Sequence, residues 1–275
     1  MPAPIIKNLK RTLTRTRLRN VLLLLLLVAA PVAVFLSGRT AAEILPDGPC
    51  GTCHTLQTRS ENFDSVTPPA LPPDWLATNA LGPPPLWVTS NNGVPNPPAD
   101  TPPNAASIDD PAVLSDKRVD SLALYFFEIG SPRLTFRHNF NLEASDIDPS
   151  LGFDGAVLEI STDNGNTFRD ILAAGGGFAA GGYNRTISTD RGSPIAGRQA
   201  WSGNSGGFIT TVVYVPSASP FTKFRWRMVS DNSGSGEGWR VDTVTVSWCP
   251  VFPTCTPKPL PTPRPRPTPV PRPSP

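Results

Sequence analysis

Cys50-Gly51-Thr52-Cys53-His54 is the first group in the chain whose residue types and spacing could carry chemistry. Two thiols so spaced can add to the vinyl groups of a haem, and the adjacent imidazole can supply the proximal ligand to its iron. Domains that hold haem this way wrap it in helices, and 43–118 shows no helical periodicity. The plainer reading is a disulfide-forming pair. Cys249 and Cys255 supply two more thiols, which would pair with each other, with cross-pairing to Cys50 and Cys53 as the rival. A zinc site built from all four is disfavoured outside the cytosol. Asp146, Asp148 and Asp154 crowd one loop, where carboxylates and carbonyls could satisfy the six to eight oxygens of calcium; solvated loop acids are the alternative. Trp201 and Tyr183 lie in glycine-rich stretches, where exposed rings could stack on a sugar.

Gly203-Asn204-Ser205-Gly206-Gly207 is similar to the nucleophile loop of trypsin-like proteases. A nucleophilic serine needs a base and an orienting acid. His138 is the one histidine placed to serve, and it falls mid-strand on an apolar face, where a satisfied core histidine is expected. The sequence therefore predicts a turn at 203–207, and no enzyme.

Export follows from the two ends of the chain. Residues 1–40 hold seven basic residues and no acid, and Lys7 to Arg19 precede an uncharged run from Val21 to Leu36. That is a signal peptide or N-terminal anchor over 1–42, with Thr40-Ala41-Ala42 offering a cleavage site. Either reading exports the body to a compartment where thiols oxidise. Between the ends, 13 basic residues face all 22 acids, leaving the body at −9. A body so charged excludes nucleic acid as partner.

Strands must position these groups. In 133–142, Leu134, Phe136, His138, Phe140 and Leu142 alternate with polar residues, the pattern of a half-buried antiparallel strand. Leu158 and Ile160 run into Asp163-Asn164-Gly165 and on to Phe168 and Ile171, a hairpin signal. Further strands are expected at 208–215, 222–230 and 239–248, with Trp226, Trp239 and Trp248 in the core. The Ala/Gly-rich 173–182 reads as a loop. Proline totals 35, with twelve in 66–103 and twelve in 250–275. The first block, short of hydrogen-bond donors, should wrap the domain in extended form and pack Trp75 and Trp87 against it. The second should be a disordered polyproline tail, basic through Lys258, Arg264, Arg266 and Arg272, reaching roughly 80 Å.

The motifs taken in order resemble a known family. Glu61-Asn62-Phe63-Asp64, Pro72-Pro73-Asp74-Trp75, Leu134 to Glu143, Phe153 to Gly165, Gly182-Tyr183-Asn184, Ala200-Trp201-Ser202-Gly203 and Gly238-Trp239-Arg240-Val241-Asp242 are similar to MAM-like, choice-of-anchor J type jelly-roll modules. Such modules occur in secreted bacterial proteins, including immune-inhibitor-A-like accessory domains and cleaved adhesins. The resemblance implies an all-β, two-sheet antiparallel sandwich over 60–249, with 43–59 as a cysteine-containing linker. It also implies a structural calcium between first and last strands, with Asp64 and Asp242 as ligands, and structural roles for His138 and Glu143. The expected function is extracellular recognition or adhesion toward a protein or polysaccharide. The basic tail would touch the cell envelope, and the N-terminal segment alone would touch membrane. An electron-transfer protein carrying haem at Cys50, Cys53 and His54 is the alternative.

Overall fold

Sixteen strands build the described part of this computed structural model, which comprises residues 56–126, 129–216, 219 and 221–250. In chain order they are β1 (Gln57–Glu61), β2 (Leu76–Leu81), β3 (Val88–Ser90), β4 (Ala105–Ile108), β5 (Ser115–Asp120), β6 (Ile129–Leu142), β7 (Leu151–Gly152) and β8 (Gly155–Ser161). Then come β9 (Arg169–Asp170), β10 (Gly177–Ala180), β11 (Arg185–Ile187), β12 (Gln199–Ala200), β13 (Gly203–Asn204), β14 (Ile209–Tyr214), β15 (Lys223–Ser230) and β16 (Gly238–Pro250). Among the described residues no helix is long and apolar enough to cross a membrane.

Two large antiparallel sheets face each other. The first runs β10-β14-β6-β16-β4-β3, with β1 also on β16 and β13 on β6; the second runs β2-β5-β15-β8-β9. The period-two alternation of the sequence is what joins them. Leu134, Phe136, His138, Phe140 and Leu142 of β6 all point inward and are buried. Phe224, Trp226 and Met228 of β15 meet them from the other sheet. On the opposite face of β15, Arg225 pairs with Asp120, and Arg227 pairs with Asp116 and Glu159. Trp226 and Trp239 are core residues as expected, whereas Trp248 is half-buried against Phe126.

The proline-rich block wraps the sandwich and also supplies β2 and β3. Both end a sheet, where a chain short of N–H donors can sit. Trp75 stacks on Trp226 at 5.5 Å, and Trp87 meets Trp239 edge-on at 5.3 Å. The outward side chains of the first sheet bind the rest of the block. Arg240, buried and without an acid partner, donates to the carbonyls of Asn92, Val94, Pro95 and Pro98. Asp242 accepts the N–H groups of Asp100 and Thr101, each at 2.8 Å.

Two expectations change, and one element is new. β1 begins at Gln57, inside the segment assigned to a linker. The Ala/Gly-rich stretch expected as a loop contributes the edge strand β10, since small residues pair by backbone as well as any others. The stretch 184–200 folds back over the second sheet and joins β7 in the small sheet β12-β11-β7. It buries Val157 and Val229 on what would otherwise be that sheet's outer face, with Ile187, Ile195 and Ala200 above them. The Asn164-Gly165 turn forms as read, with φ of 63° and 91°. The segments 1–42 and 251–275 lie outside the described residues.

Candidate metal centre

Four carboxylates meet where strands hand over to loops. Asp110 follows β4, Glu143 follows β6, Asp154 precedes β8 and Asp231 follows β15, so both sheets contribute. Ligand oxygens of Glu143, Asp154 and Asp231 lie within 4.8 Å of one another. Asp110 lies against Asp154, so the pair can share one proton.

Backbone donors fix the carboxylates by one oxygen. Asp154 Oδ1 accepts the Asp231 N–H at 2.6 Å. Asp110 Oδ2 accepts the N–H groups of Gly236 at 2.8 Å and Glu143 at 3.2 Å. Asp231 Oδ1 accepts the Ser233 N–H at 2.7 Å. Glu143 Oε2 and Asp231 Oδ2 are left buried with no hydrogen-bond donor, and Asp110 Oδ1 and Asp154 Oδ2 have none apart from the proton that pair can share. Glycine is needed beside them: Gly234 has φ +63°, and a Cβ there would collide with the Glu143 carboxylate.

Buried carboxylates this close cannot all stay ionised alone. Burial, and then the Asp110 charge, push the Asp154 carboxyl up to about 10. Burial raises Asp110 as well, and burial with the Asp231 charge raises Glu143. Arg191 partly offsets the charge, with Nε 3.8 Å from Asp231 Oδ2 and Nη1 4.0 Å from Glu143 Oε1. Free oxygens, excess negative charge and an all-carboxylate donor set are what a hard divalent cation requires. Such a set could hold a cation such as calcium, which takes six to eight oxygen ligands.

No protein-family model matches the chain, and no curated protein matches it. Solved structures show distant likeness. The cleaved adhesin domain K1 of Lys-gingipain from Porphyromonas gingivalis is 16% identical with a TM-score of 0.39, covering 69% of this chain and 97% of its own. The K3 cleaved adhesin domain of the same protein is 14% identical with a TM-score of 0.38, covering 70% and 99%. TmCBM61, solved in complex with beta-1,4-galactotriose, is 11% identical with a TM-score of 0.35, covering 63% and 88%. Function therefore rests on this chain's own residues.

Of the residues singled out in the sequence, the cluster takes Asp154 and Glu143. Asp146 and Asp148 are exposed in the loop between β6 and β7. Asp64 and Asp242 are not members. Asp64 accepts the Asn104 N–H and the Asn62 amide, and Asp242 holds the proline-rich loop, so the expected pairing of first and last strands around calcium gives way to a different set. Trp201 is no surface platform. It is 0% exposed, its indole N–H donates to the Gly181 carbonyl at 2.8 Å, and Tyr183 packs edge-on against it at 4.7 Å. The Tyr183 hydroxyl is itself spent, accepting the Leu158 N–H and donating toward Asp170. Glycines around both residues suggested exposed loops; instead Gly181 and Gly203 have positive φ and let the backbone approach Thr210 and Arg185 closely.

Ser205 and His138 serve structure. Ser205 Oγ accepts the Phe140 N–H at 2.9 Å and lies beside Asn139. His138 Nδ1 accepts the Trp239 indole N–H at 3.2 Å, and Nε2 donates to Thr211 Oγ1 at 2.8 Å. Thr211 passes the chain on to the Gly181 carbonyl. Burial lowers the His138 pKa to about 3, so the ring stays neutral. Cys249 is disulfide-bonded. Cys50, Cys53, His54 and Cys255 lie outside the described residues, and with them the haem reading and the pairing of Cys249 with Cys255.

Proposed function

We propose that this chain is an exported, non-catalytic recognition module, of the MAM-like, choice-of-anchor J kind, whose two sheets are fastened at one end by calcium. The observation that carries this reading is the convergence of four carboxylates from both sheets, with buried Glu143 Oε2 and Asp231 Oδ2 left without a hydrogen-bond donor. Calcium bound at the weak end of protein affinities is a ligand of extracellular modules, which agrees with the basic, then apolar N-terminus. The serine and histidine that could have formed a hydrolytic pair, Ser205 and His138, are committed to separate structural hydrogen bonds, which supports binding without turnover.

The ligand is a protein or polysaccharide outside the cell, with the basic 250–275 tail meeting the envelope. A cleft of about 450 Å³ beside the β8–β9 hairpin has the size of a ligand site and offers Thr162, Thr167 and Arg169 as polar contacts. A polysaccharide array, probed with wild type and Arg169→Ala in calcium and in chelator, tests the reading. Calcium-dependent binding that the variant loses is the expected result. Hydrolysis of any bound glycan or peptide by the pure protein would refute it.

A further inference from the structure

Arg191 is the half-exposed residue at an otherwise closed site. Its side chain is 38% exposed and that of Glu143 22%, while Asp231 is fully buried. Its contacts to Asp231 Oδ2 and Glu143 Oε1, at 3.8 and 4.0 Å, are too long for hydrogen bonds. Neutral partners hold the guanidinium instead: Ser233 Oγ accepts from Nη1 at 2.6 Å, and the Phe153 ring lies 4.0 Å away. The charge thus hovers over the cluster without being locked to it.

We propose that Arg191 is an internal competitor of the cation: it neutralises the cluster when no ion is bound, and the repulsion it exerts on an arriving ion sets the affinity. This rests on the reading of the cluster as a cation site. A divalent ion brings twice the charge to coordination distances of about 2.3–2.6 Å, far inside the guanidinium's present approach, so the ion wins and Arg191 is driven toward solvent. The backbone permits that swing. Arg191 lies in the exposed turn between β11 and β12, and the next residue, Gly192, has φ +72° with open space around it. Ion occupancy is thereby transmitted to the small sheet that covers the second sheet.

Calorimetric titration of the purified, chelator-stripped protein with calcium chloride tests this, using Arg191→Gln and Arg191→Lys. Removing the charge should tighten calcium binding on the order of tenfold, and the lysine variant should stay near wild type. Hydrogen exchange gives a second readout: calcium should speed exchange of the 189–192 amides while slowing those of 231–236. Unchanged or weaker binding by Arg191→Gln, or protection of 189–192 by calcium, overturns the proposal. Calcium heats absent from wild type and variants alike would overturn the cation reading itself, a pattern distinct from the first.

Discussion

Calcium should raise the melting temperature of this domain, and Asp154→Asn should remove the effect. Two buried oxygens, Glu143 Oε2 and Asp231 Oδ2, lack a hydrogen-bond donor, and each such group costs about 1–3 kcal/mol. An ion that binds only the folded state returns stability as RT ln(1 + [L]/Kd). With the Kd of about 0.1–1 mM usual for extracellular modules, ~10 mM calcium contributes about 1.4–2.7 kcal/mol. A domain of this size gains about 2–4 °C per kcal/mol, so the expected rise is about 3–10 °C. The Asp154→Asn amide keeps the volume and the Oδ1 acceptor for the Asp231 N–H but removes the charge. In chelator it should melt no lower than wild type, since burial and Asp110 both oppose ionisation at that position. The pH dependence has a definite sign. The folded Asp154 pKa lies above its ordinary 3.8, so its contribution to the ion-free fold is full below about 4 and is lost as pH rises toward about 10. Calcium competes with that proton, so the calcium-induced rise should grow from pH 5 to pH 8. Calorimetric melts in chelator, calcium and magnesium at both pH values measure all of this. An equal rise in wild type and Asp154→Asn would refute the reasoning.

Three further outcomes follow from buried groups elsewhere. Arg240→Met should cost about 3 kcal/mol in urea unfolding and speed cleavage within 92–101 by an unspecific protease, because four carbonyls of the proline-rich block lose their donor. Trp201→Ala should lower stability by about 3–5 kcal/mol; a variant that kept its melting temperature would contradict the burial of that ring. His138 should show no titration by NMR between pH 5 and 8, and because its folded pKa of about 3 lies below 6.5, stability from it is full above 6.5 and declines as pH falls, by roughly 2 kcal/mol at pH 5.

The sandwich was legible because side-chain period and burial are one fact seen twice. β6 had to bury Leu134 to Leu142 on one face, and β15 its Phe224, Trp226 and Met228, so a two-sheet core was the consistent answer. The wrapping of the proline-rich block was legible for the same kind of reason, since prolines that cannot donate leave only sheet edges open to it. Its anchor was not. Arg240 looked like one more strand arginine on a solvent face, and nothing local announces that four carbonyls will close around it. Trp201 misled because glycine neighbours carry two meanings, a mobile loop or a backbone thinned to let a large ring in. Gly181 fits neither: its φ of +62° and the closeness of Thr210 and Thr211 require glycine, and its carbonyl takes both the Trp201 indole and the Thr211 hydroxyl.

The carboxylate cluster was hidden by its own construction. Asp110, Glu143, Asp154 and Asp231 are spread over more than a hundred residues, each beside a strand end. Asp154 stood out only as part of a crowded loop with Asp146 and Asp148, which stay in solvent, and Asp110 and Asp231 read as ordinary loop acids. Strand topology brings them together: β8 and β5 both pair with β15, and β4 and β6 both pair with β16. The ends of those pairs fall at one end of the sandwich. One signal was present in the chain, Asp231-Asn232-Ser233-Gly234-Ser235-Gly236, where an acid that closes a buried strand is followed by glycines that let backbone N–H groups reach other carboxylates. An acid needs no such turn to sit in water. It needs one when its charge is to be held inside the fold, and a charge held there calls for a counter-charge of higher valence than a single half-exposed arginine supplies.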